Sequence, residues 1–119
     1  MFHLLIAALL MSLIPSVSAA SDEVTGVWTL DFEQDFGGHP GTSECTFKQD
    51  GHKVAVRCGK DPTTSTGEVN DRRITWQTKT GLQREVTATF AADLDPQSTT
   101  MTGTWRLPDR EGKFTARKH

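Results

Sequence analysis

The sequence predicts an all-β domain, a single antiparallel up-and-down β-barrel of about eight strands. Three observations carry that expectation. After residue 20, apolar residues alternate with polar ones and show no helical spacing. Thr is abundant, and Gly, Asp, Asn and Pro punctuate the chain at short intervals. Each strand has one apolar face, and a sheet closed on itself covers all these faces while removing both edges. A two-sheet β-sandwich is the alternative. Residues 21–119 show no linker and read as one domain.

The first expected strand is 24–33, with Gly26, Trp28, Leu30 and Phe32 facing inward and Asp31 and Glu33 outward. Residues 34–42 form a long loop around Gly37-Gly38-His39-Pro40-Gly41. The next two strands make a hairpin from Cys45 to Cys58, turning near Asp50-Gly51. A four-residue loop, 50–53, places Cys45 opposite Cys58, Phe47 opposite Val56 and Gln49 opposite Val54. A tighter turn places Cys45 opposite Val56 and leaves Cys58 diagonal, about 7–8 Å away and outside comfortable disulfide reach. Alternation alone does not separate the two registers; a disulfide selects the first. A short strand at 65–69 turns at Asn70-Asp71 into 72–79, with Ile74 and Trp76 inward. After a turn at 80–82, strand 83–92 carries Val86, Ala88 and Phe90 inward, and Leu94 tucks under the loop that follows. Strand 99–107 directs Met101, Gly103 and Trp105 inward. A turn at 108–112 leads to 113–118, with Phe114 and Ala116 inward. Thr25-Gly26-Val27-Trp28 and Thr102-Gly103-Thr104-Trp105 share the pattern T-G-x-W, in which each Gly would let a Trp ring lie across a neighbouring backbone.

The first twenty residues read as a signal peptide for secretion or periplasmic export. Residues 2–14 are apolar apart from His3 and Ser12, and Ser16-Val17-Ser18-Ala19-Ala20 offers cleavage after Ala19 or Ala20. The run is shorter than the ~18–20 residues of a membrane-spanning helix, so no membrane association is expected after cleavage. Export places the two cysteines in an oxidising compartment, where Cys45 and Cys58 form one bridge. The net charge of −2 has both signs scattered, which argues against nucleic acid as a partner. A monomer is expected.

Gly26-Val27-Trp28 resembles the G-x-W motif that opens the first strand of lipocalins and related calycins. The resemblance implies that Trp28 closes the barrel floor beneath a basic residue of the last strand, for which Arg117 is the candidate. Alternation puts Arg117 out of phase with Phe114 and Ala116. No counterpart of the family's T-D-Y-like motif is present, and the chain is shorter than a typical lipocalin. Gly26-Val27-Trp28-Thr29-Leu30 and one early disulfide are also similar to exported barrels that inhibit zinc metalloproteases. That resemblance implies a protein-interaction module working through an N-terminal arm, here residues 21–25. Avidin-like barrels likewise wall their pockets with Trp, but this chain has no Tyr to serve as a polar partner there.

Trp28, Trp76 and Trp105 fall on the inward phase and are the candidate ligand-binding residues, walling a pocket for a small apolar ligand at one mouth. A filled interior is the competing reading, since an eight-stranded barrel is only wide enough for its side chains or one small ligand. Catalysis is not expected. Asp31, Glu33, Asp35 and Glu44 lie on the outward phase or in loops and read as a solvated rim near His39. No Ser sits in G-x-S-x-G. His39, His52 and His119 have no metal-binding spacing, so neither metal nor cofactor is expected.

Overall fold

The alternating pattern resolves into eight strands: β1 (Gly26–Phe32), β2 (Gly41–Asp50), β3 (Lys53–Cys58), β4 (Ser65–Asn70), β5 (Arg73–Thr80), β6 (Val86–Leu94), β7 (Thr100–Leu107) and β8 (Arg110–Lys118). This computed structural model describes residues 23–61, 63–80 and 86–119. The expected signal peptide (1–20) and the expected start of the sixth strand (83–85) lie outside the described residues. Every strand pairs antiparallel with its sequence neighbour, and β1 pairs with β8, so the sheet is a closed barrel. The architecture is therefore the up-and-down barrel and not the sandwich.

Period-two alternation sends the apolar residues to the interior. Trp28, Leu30, Phe47, Val54, Val56, Ile74, Trp76, Phe90, Met101, Trp105 and Phe114 are all buried. No polar or charged residue among the described residues is buried. The outward phase carries Lys48, Arg57, Glu68, Arg73, Lys79, Arg106 and Arg117, all exposed. Val24, Val69, Leu94 and Leu107 complete the core.

The β2–β3 hairpin adopts the register that the disulfide selects. Cys45 faces Cys58, Phe47 faces Val56 and Gln49 faces Val54. The bridge is formed, with Cα atoms 4.0 Å apart. Asp50 and Lys53 still pair, so the turn centres on Gly51-His52. Gly51 leads it with φ 64°, as a two-residue II′ connection requires.

Several strand ends differ from expectation: β1 spans Gly26–Phe32 and not 24–33, β4, β5 and β7 differ by one residue at one or both ends, and three further ends differ by more. β2 begins at Gly41, because Phe32 pairs with Gly41 across from β1. β6 runs on to Leu94, which pairs with Met101. β8 starts at Arg110, so Gly112 is a strand residue opposite Trp105 and not part of a turn. The reason is steric: a Cβ at Gly112 would lie 2.6 Å from the Trp105 ring, so only Gly lets the indole lie flat across β8. The two T-G-x-W glycines make room for other groups: Gly26 for the Lys118 side chain, Gly103 for the Phe114 ring and the β6 backbone.

Two outcomes follow. Reducing the disulfide should cost about 2–3 kcal/mol, read as a lower urea midpoint with the far-ultraviolet β signal retained. Gly112→Val should destabilise by about 1–3 kcal/mol, because the buried Trp105 ring would have to give way and lose its Nε1 bond to the Gln34 carbonyl.

Candidate functional site

The two ends of the barrel are built differently. One end gathers Glu23–Thr25, the turns after β2, β4 and β6, and the C-terminus. Trp28 seals it. Its ring is fully buried, its Nε1 donates to the Val24 carbonyl at 2.9 Å, and it meets Phe47 edge-on at 6.2 Å. Lys118 lies over the indole, with Nζ 5.7 Å from the ring centroid, and donates to the Glu23 carbonyl at 3.0 Å. The basic residue over the motif Trp is therefore Lys118. Arg117 points outward to Asp31 at 3.5 Å, as its place in the alternation requires. Arg72 reaches the Glu23 carboxylate at 3.3 Å and the Pro96 carbonyl at 2.9 Å, strapping the N-terminal stretch across this floor. Glu23 and Val24 are thus packed against the barrel; residues 21 and 22 lie outside the described residues.

The opposite end holds a cavity of about 210 Å³. Its cause can be read in side-chain size. Inward positions on the β2–β5 side are smaller at this mouth than at the far end: Ser43 against Phe47, Ser65 against Val69 and Thr78 against Ile74 and Trp76. Across the barrel the corresponding positions are filled by Phe32, Phe90, Trp105 and Phe114. The hollow opens over the small residues. Leu30, Phe32, Val56, Trp76, Phe90 and the Cys45–Cys58 bridge wall it, and Ser43, Ser65, Thr63 and Thr78 bring hydroxyls to its rim. Trp76 and Phe90 stack face to face at 4.9 Å with planes 2° apart, and Phe47 meets Trp76 edge-on at 5.2 Å from below. Trp76 can lie so close to β4 because Gly67 stands opposite it.

The β1–β2 loop supplies the remaining wall. Asp35 organises it: Oδ1 accepts the Gly37 amide at 2.9 Å and the His39 amide at 3.1 Å, while the Asp35 amide donates to the His39 carbonyl at 2.6 Å. Phe36 is thereby held over Trp105 at 5.0 Å and beside Phe90 at 6.2 Å. Trp105 Nε1 anchors the loop by donating to the Gln34 carbonyl at 3.0 Å. The His39 amide first, then that of Gly37, hold the Asp35 carboxyl below its ordinary value of 3.8 against a partly opposing desolvation.

The three candidate tryptophans therefore play three different parts, although Trp76 and Trp105 flank Phe90 in the strand register. Trp76 walls the cavity, Trp105 supports the loop that borders it, and Trp28 closes the far end. The four acidic residues expected at the rim separate as well. Asp35 lines the cavity, Glu33 stays exposed beside it, Asp31 pairs with Arg117, and Glu44 lies 3.9 Å from His119. Phe36 and Asp61 are cavity residues that the strand pattern did not reveal, because both stand in loops. Among the described residues no group of His, Cys, Asp and Glu could hold a metal ion. No protein-family model matches the sequence, and none of the curated proteins matches it.

The loop gives a pH prediction with a definite sign. Asp35 has a depressed folded-state pKa, so its contribution is present above the ordinary carboxyl value and is lost as pH falls through the lowered one. Asp35→Ala should therefore destabilise more at about pH 6 than at about pH 2.5. Urea unfolding at the two pH values, with amide exchange at Gly37 and His39, checks it.

Proposed function

We propose that this chain is an exported, non-enzymatic, lipocalin-like barrel that binds a small apolar ligand in its open mouth. The observation that carries the reading is the cavity itself: about 210 Å³, walled by Trp76, Phe90, Leu30, Phe32, Val56 and the disulfide, in a barrel whose other end is sealed. Concave, mostly apolar sites with a few polar groups at the edge are the usual form of small-molecule pockets. The volume is below the ~300 Å³ at which drug-sized sites begin, so the enclosed part of the ligand is small. Burying apolar area against these rings supplies the affinity, at about 25 cal/mol per Å² before the cost of immobilising the ligand.

Kinship with the lipocalins is supported by Gly26-Val27-Trp28 at the start of β1, by the sealed floor under Lys118 and by the closed antiparallel meander. Export is supported by the Cys45–Cys58 bridge, which persists in an oxidising compartment. Binding without catalysis is supported by the roles of the carboxylates: Asp35 is spent on its own loop and Asp31 on Arg117.

Titration of the oxidised protein with toluene, followed by tryptophan fluorescence, should show one saturable site. Thr78→Phe, which places a ring at the half-buried rim, should weaken toluene at least about tenfold while the β signal is retained. Equal binding by Thr78→Phe would move the site away from this mouth, and no saturable binding would remove the reading.

A further inference from the structure

The three indole N–H groups differ in one respect. Trp28 donates to the Val24 carbonyl and Trp105 to the Gln34 carbonyl. Trp76, only 3% exposed, has no acceptor for its N–H among the described residues. No enclosed side-chain nitrogen or oxygen in the described residues lacks a partner, so this N–H is open to the cavity that Trp76 lines. A buried indole ordinarily finds an acceptor, and here the acceptor must come from what enters the cavity. The remaining surroundings limit its charge. Asp35 is an acidic residue of the described lining. Asp35 is held ionised by the His39 and Gly37 amides. An anionic head would therefore enter an apolar hollow beside a fixed negative charge.

We infer that the ligand class is a small uncharged molecule with an apolar body and one hydrogen-bond acceptor, a carbonyl or ether oxygen, that receives the Trp76 N–H. This rests on the cavity reading above and adds the chemistry that selects the ligand. The apolar body lies against Phe90, Val56 and Leu30, and the oxygen lies at the indole edge. Carboxylate-headed ligands such as fatty acids are disfavoured.

The test uses three probes of one shape on the intact oxidised protein: acetophenone, α-methylstyrene (a methylene in place of the oxygen) and benzoate. Acetophenone should bind and move the Trp76 Nε1–H proton resonance downfield. α-Methylstyrene should bind without that shift, and benzoate should bind at least about tenfold more weakly than acetophenone. In Trp76→Phe, the ratio of acetophenone to α-methylstyrene affinity should fall by about fivefold, the size of one neutral hydrogen bond; the ratio removes the difference in probe hydrophobicity. If both neutral probes bind and acetophenone leaves the Trp76 resonance in place, the acceptor assignment is overturned and the cavity reading stands. Benzoate binding as tightly as acetophenone overturns the charge assignment. If no probe binds, the cavity reading fails and takes this one with it. The resonance shift needs no substitution, so it decides the matter even if Trp76→Phe does not fold.

Discussion

Everything in this molecule depends on the closure of β1 against β8. The pairing runs from Trp28 opposite Lys118 to Phe32 opposite Phe114 and turns an open meander into a ring. An open sheet would leave two edges exposed and eight half-apolar faces without a cover. Closure also fixes the interior width, which for eight strands is about that of the side chains pointing into it. The same seam brings Lys118 over Trp28 and lets the His119 amide donate to the Val27 carbonyl at 2.8 Å. The floor of the barrel and the seam that closes it are thus one structural unit.

With the width set, the content of the barrel at each height is a matter of side-chain volume. At the sealed end Val24, Trp28 and Phe47 pack together, and Val54, Val69, Leu94 and Met101 extend the same core. Near the mouth, Ser43, Ser65 and Thr78 replace such residues on one side only. A cavity forms where large rings face small residues, and the loop ordered by Asp35 brings Phe36 to its edge. Both competing expectations for the interior describe part of the barrel: it is filled at one end and hollow at the other. The disulfide stands in the cavity wall, so the bond that fixes the β2–β3 register also holds a surface of the hollow.

The fold was legible because a strand reports its faces directly: period two distinguished inside from outside for Trp28, Phe47, Val56, Ile74 and Phe114. The hairpin register was legible because a covalent constraint between Cys45 and Cys58 excludes the competing one. Period two does not report height along the barrel axis. The alternation therefore placed Trp28, Trp76 and Trp105 in one class, although one is a floor, one a wall and one a loop support. Local residue preference also misled at Gly112, where a turn-former serves as a strand residue beneath a ring supplied by β7. Phe36 and Asp35 carried no periodic signal, since their positions follow from hydrogen bonds inside a loop.

The apolar hollow lies at one defined end of a closed barrel. The direct measurement is a map of intermolecular nuclear Overhauser effects between bound toluene and the methyl groups of the oxidised protein. Contacts are expected to the Leu30 and Val56 methyls, which line the hollow, and none to those of Val24, Val69 and Leu94 in the packed core at the other end. Contacts to Val24 and Val69, or contacts spread evenly over both ends, would contradict that placement of the hollow.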